Sequence, residues 1–180
     1  MNAPEAELVR PIKVRTLPNE LYAVKASETE RTALARRFGV SEILAFSAEA
    51  RFRDTGDGIL AEGRLTAEIV QPCAVTREDF TYRVDEPFSL LFVPAGELTE
   101  YAEDEEVELD DDAPDEVEYE GETFDIGEAL AQTLGLAIDP YREGPDADAA
   151  RAENNIRRDD EPVASGPLAE ALAGLQNKPN

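Results

Sequence analysis

The side chains available for chemistry in this chain are carboxylates, arginines and one thiol. Histidine is absent, Cys73 is the only cysteine, and 41 of 180 residues are Asp or Glu against 17 Lys and Arg. Without histidine there is no Ser-His or Cys-His nucleophile, and a single cysteine makes neither an intrachain disulfide nor a structural zinc site. Carboxylates binding Mg²⁺ would have to converge in a cleft from ordered elements. The acids here gather in one low-complexity stretch, so a metal-dependent carboxylate enzyme ranks last among the readings. No catalytic, cofactor-binding or metal-binding residue is assigned.

Charge is the stronger signal. The formal net charge is −24, and from Val84 to Tyr141 there are 20 acids and no Lys or Arg. The rest of the chain is nearly balanced. Within Glu97 to Glu122, 15 of 26 residues are acidic. Self-repulsion and few apolar groups predict an extended, mobile insert. Three uses remain open: a solvated loop that maintains solubility, a docking segment for a basic partner, or a calcium site. The last lacks the spacing of an EF-hand loop. For docking, the candidate residues are Glu103, Asp104, Glu105, Glu106, Glu108, Asp110, Asp111 and Asp112. The opposite reading, direct RNA binding, would rest on a local face of Arg36, Arg37, Arg51, Arg53 and Arg64, against the long-range repulsion of the polyanion. Cys73 is expected to be a small buried hydrophobe, with a reactive thiol as the alternative.

These residues need a scaffold. Arg10–Thr16 and Leu21–Ala26 predict short strands. Ser27 with Glu30 forms a capping box, so a helix should follow and stop at Gly39, with Arg31, Arg36 and Arg37 largely outside its apolar stripe. Glu42–Arg53 and Ile59–Ile69 alternate apolar and polar residues around a turn at Gly56-Asp57. Placing both apolar sets on one face pairs Phe52 with Ala61, Phe46 with Ala67 and Leu44 with Ile69. The opposite face then pairs Arg51 with Glu62 and Glu49 with Arg64. Phe80–Val93 predicts a further strand that Pro87 should bend, bulge or confine to an edge. Val117–Phe124 predicts one more, turning near Gly121, and Asp125 caps a second helix that ends before Pro140.

The expected fold class is α+β: an antiparallel sheet with barrel-like curvature, two packing helices, a long acidic loop and a poorly ordered C-terminal tail. Residues 1–9 form a flexible leader and 10–140 one domain, with the acidic insert at 97–122. Residues 141–166 show no apolar periodicity and are expected to be a disordered linker. Residues 167–175 form a short amphipathic helix with Leu168, Leu172 and Leu175 on one face. It either docks on its own domain or binds a partner. No apolar run approaches the roughly 18 residues of a membrane span, and the N-terminus lacks a secretion signal, so a cytoplasmic protein with no membrane partner is expected.

Several stretches together resemble a known family. AEGRLTAEIVQPCAVT, a further strand, an acidic stretch, ETFDIGEALAQTLGLAIDPYREGPDA and a closing PLAEALAGL occur in the order and spacing of the bacterial YceD family, also called domain of unknown function 177. The most specific parts are Gly63 followed by Cys73, Asp125-Ile126 with Leu134 and Leu136, and the Pro167-Leu168 segment. None is a catalytic signature. Many members carry a C-x-x-C pair, but here Thr76 stands in the second position and no cysteine follows Asp139. The resemblance therefore implies a metal-free branch. It also implies a non-enzymatic role in large-subunit ribosomal RNA accumulation. The basic partner of the acidic insert would then be a ribosomal or ribosome-assembly protein, with ribosomal RNA itself as the alternative.

Overall fold

The computed structural model describes residues 7–96, 113–154 and 156. Its centre is a five-stranded sheet in the order β2-β3-β4-β5-β6. The strands are β2 (Tyr22–Lys25), β3 (Glu42–Asp54), β4 (Ile59–Pro72), β5 (Asp79–Pro94) and β6 (Asp115–Tyr119). A separate two-stranded sheet joins β1 (Pro11–Lys13) to β7 (Thr123–Asp125). The helices are α1 (Glu28–Phe38), α2 (Ile126–Ala137) and α3 (Ala147–Asn154). The class is α+β, as expected, but the large sheet is open and not a barrel, because β2 and β6 do not pair. It is also mixed: β6 runs parallel to β5. Three helices, not two, occur among the described residues.

The β3–β4 hairpin follows the expected register through most of its length, including Phe46↔Ala67, Phe52↔Ala61, Arg51↔Glu62 and Glu49↔Arg64. The departure is at its far end. A β-bulge between Ile43 and Ala45 shifts the pairing, so Ile43 opposes Ile69 and is buried while Leu44 is 39% exposed. One extra residue reverses the side-chain alternation beyond it. Gly63 explains how tightly these strands stack: a Cβ there would lie 1.9 Å from the Glu49 carbonyl oxygen and 2.7 Å from Phe88.

One face of the sheet holds the core. Phe46, Leu65, Ile69 and Phe92 pack there with Leu34 of α1 and Leu130 and Leu134 of α2. The capping box of α1 is complete, with Glu30 N–H donating to Ser27 Oγ and Ser27 N–H to Glu30 Oε2. Gly39 ends the helix in the left-handed region at φ 69°. Asp125 caps α2, accepting from Gly127 N–H at 2.8 Å and also from Arg10 N–H at 2.8 Å. The second contact ties the N-terminal segment down. Leu8, expected in a flexible leader, is 0% exposed, because the chain crosses directly over the start of α2.

Two further expectations change. Arg31 is not a free surface cation: it donates to the carbonyls of Ile43 and Ala26, both at 3.0 Å, and so pins α1 to β3. Part of the expected linker is helical, since α3 occupies Ala147–Asn154 and buries Ala147. Its stability comes from contacts rather than from an apolar stripe. Arg151 is bound by Glu143 and lies 3.7 Å from Asp148.

Candidate functional site

Three places bring the chemically capable residues together. The first is the acidic stretch. The candidates from Glu103 to Asp112 lie outside the described residues, as do Leu168, Leu172 and Leu175. Both flanks of the stretch are described. β5 ends at Pro94, and β6 starts at Asp115 alongside Leu90, because a parallel pairing requires the chain to travel back before re-entering the sheet. Ala95 N–H donates to the Tyr119 carbonyl at 2.9 Å and Gly96 N–H to Glu118 Oε1 at 3.1 Å. The exit is thus held beside the end of the returning strand. Asp115, Glu116, Glu118, Glu120 and Glu122 are all exposed. The strand expected over Val117–Phe124 with a turn near Gly121 is found as two: Asp115–Tyr119 is an edge strand inside the acidic insert, anchored by five paired positions on β5, and Thr123–Asp125 follows the turn.

The second place is the sheet face opposite the core. Strict alternation in β3, β4 and β5 puts Arg51, Arg53 and Arg64 there, with Lys25 and Arg83. Glu49, Glu62, Glu68 and Asp85 interleave with them. Arg64 meets Asp85 at 2.5 Å, Arg83 meets Asp85 at 3.4 Å and Arg53 meets Glu62 at 3.8 Å. The Arg64 hydrogen bond, aided by the charge of Arg83, lowers the Asp85 carboxyl pKa. The other two candidate arginines do not join this face. Arg36 and Arg37 lie on α1, which packs against the core side of the sheet. Arg37 makes a two-pronged pair with Glu128 at 2.8 and 3.0 Å and a third bond to Glu7 at 2.8 Å. Those bonds raise its pKa further above neutrality. It acts as a bracket between α1, α2 and the N-terminal segment.

The third place surrounds Cys73, which is 1% exposed at the β4–β5 turn. Val75 and Thr76 N–H donate to its sulfur at 3.4 Å, and Gly144 N–H donates at 3.2 Å. Burial opposes ionisation of the thiol, but hydrogen bonds from Thr76, Gly144 and Val75 outweigh it and bring the pKa down to about 7. The turn is tight enough to hold Arg77 at φ 65°. The same region clasps the chain beyond α2. Buried Gln71 donates to the Asp139 carbonyl at 2.9 Å and accepts from the Tyr82 hydroxyl at 2.7 Å. Arg142 lies 4.2 Å from the Tyr82 ring centre. Reading residues one at a time missed Gln71, Tyr82, Arg142, Gly144 and Arg151. The available signal was the REGPDA stretch, whose glycine leaves room against Phe80 and Cys73.

A zinc donor set does not fit this turn. The turn offers one sulfur with a threonine hydroxyl beside it, and a structural zinc site needs Cys, His or carboxylate donors in a closed set. Among the described residues, no three His, Cys, Asp or Glu side chains are grouped to hold a metal. No described helix is long and apolar enough to cross a membrane.

These features define the class as an α+β protein with an open, mixed five-stranded sheet, helices on one face, a charged opposite face and an acidic edge strand. Residues 61–174, more than half of the chain, match the model of the family described as large ribosomal RNA subunit accumulation protein YceD. The chain belongs to that family. No curated protein and no solved structure matches it.

Proposed function

We propose that the protein supports large-subunit ribosomal RNA accumulation without catalysis, by docking a basic ribosomal or ribosome-assembly protein on its acidic 97–122 segment. The supporting observation is how the flanks are planted. An edge strand with exposed Asp115, Glu116 and Glu118 continues a run that already carries most of the net charge. Fixing both ends to the sheet limits the volume over which the carboxylates spread, which concentrates the negative potential on one side of the domain. A cationic protein surface gains from that field mainly in association rate, and loses the gain as salt rises.

The test replaces all eight acids from Glu103 to Asp112 by Gln or Asn, leaving β6 intact. Excising 97–122 would remove a strand and confuse loss of docking with loss of fold. Against a purified mixture of large-subunit proteins at low salt, the native chain should retain basic members and the neutralised variant should not. Equal retention by both would reject the acidic docking site.

A second reading, ribosomal RNA binding by the open sheet face, is favoured by one observation. Five cations, Lys25, Arg51, Arg53, Arg64 and Arg83, share that surface. It predicts that the neutralised variant binds large-subunit RNA more tightly than the native chain, and that Arg51→Glu with Arg53→Glu removes the binding. No detectable RNA binding by the neutralised variant would dismiss it.

A further inference from the structure

We infer that the open edge of β5, from Phe80 to Glu86, accepts an extended cationic peptide as an added strand in line with β6. The inference rests on the acidic docking reading and supplies its mode of attachment. β5 pairs with β4 from Asp79 to Phe92, nearly its whole length. On its other side β6 covers only Leu90–Pro94. Among the described residues, no backbone hydrogen bond beyond the β4 ladder reaches Asp79–Ser89. That leaves an edge of about 34 Å carrying a row of outward backbone donors and acceptors.

The other edge of the sheet is not comparable. β2 has four residues and runs at once into the N-cap of α1. On β5, Pro87 lacks an N–H, so a new ladder would stop there, three residues before β6 takes over at Leu90. The free stretch before it therefore has a defined end. Charge selects the occupant. Asp85 is already paired with Arg64 and Arg83, but exposed Glu86 directly precedes the proline, and Asp115 and Glu116 stand where the added strand would meet the start of β6. A polyanion is repelled from the same place. An extended lysine-rich or arginine-rich segment gains main-chain hydrogen bonds from the edge and Coulomb attraction from the junction.

The probe is an eight-residue peptide alternating lysine and threonine, compared with the same peptide N-methylated at every residue, so that neither edge keeps its N–H donors. Both carry equal charge, but only the first offers a full ladder. Binding is read by fluorescence anisotropy at low salt, and site by amide hydrogen exchange, on the whole chain. The unmethylated peptide should bind at least tenfold more tightly and slow exchange within residues 79–86. Equal affinities, or protection confined to other residues, would overturn the edge site. An RNA oligomer that protects the same amides would overturn the choice of partner. The eight-acid neutralised variant separates the two proposals. If it binds the unmethylated peptide as tightly as the native chain does, with the same tenfold discrimination, the edge site stands while acidic docking falls. If discrimination is absent in the native chain but affinity drops on neutralisation, acidic docking stands alone.

Discussion

Burial pushes the Cys73 thiol up, but hydrogen bonds from the Thr76 side chain and from the backbone N–H groups of Thr76, Gly144 and Val75 outweigh it and hold the pKa down to about 7, which makes the titration a direct test. With a folded pKa of about 7, below the ~8.5 of an unfolded thiol, the group contributes stability that is fully present above the unfolded value and is lost as pH falls through 7. Thiolate absorbance near 240 nm should therefore rise with a midpoint near 7 in the folded chain and near 8.5 in urea. Coincident midpoints would mean that the N–H cage is not formed in solution. Cys73→Ser should weaken the hold on Gly144 and speed exchange of the Gly144 and Thr76 amides, because a smaller, neutral acceptor is a poorer partner for both loops.

At the scale of elements, Gly63 controls how closely three strands meet. It is paired with Ala50 on β3 and Phe88 on β5, and the space a Cβ would need is taken by the Glu49 carbonyl and the Phe88 ring. Gly63→Ala should destabilise the fold by at least about 2 kcal/mol, the scale of overpacking a well-filled core, read from the denaturant midpoint at unchanged slope. A shift below about 0.5 kcal/mol, within the range of ordinary surface substitutions, would show that the strands separate easily. The N-cap of α1 makes a milder case: Ser27→Ala removes the bond to Glu30 N–H and should cost about 1 kcal/mol. The α1–β3 contact should survive that change, since Arg31 holds two carbonyls outside the helix.

For the whole molecule, charge sets both solubility and the cost of compactness. Neutralising the eight acids from Glu103 to Asp112 takes the formal charge from −24 to −16. Self-repulsion in the folded state then falls, so the melting temperature should rise at 10 mM salt. The gain should shrink at 1 M, where screening acts over about 3 Å. A melting temperature that does not move at low salt would mean that these acids already sit beside compensating cations.

Local pattern settled much of this protein before any tertiary contact was considered. Alternation in β3 and β4 and a glycine-rich turn define one hairpin register, because a one-residue slip would turn Phe46 and Phe52 outward. The Ser27–Glu30 box and the Asp125 cap likewise depend on residues three or fewer positions apart. The acidic run, and the absence of histidine, are properties of composition alone. What lay beyond local pattern came from partners distant in the chain. The bulge that turns Leu44 out depends on how β3 meets β4 at the end far from their turn. The parallel placement of β6 requires a chain reversal that alternation does not encode. The helix at Ala147–Asn154 has no apolar stripe, and part of its hold is the 142–144 stretch laid against a sulfur about seventy residues earlier. Only the closed packing of β4, β5 and the post-α2 segment could turn a lone cysteine into the centre of a clasp, since its N–H donors come from both sides of the fold.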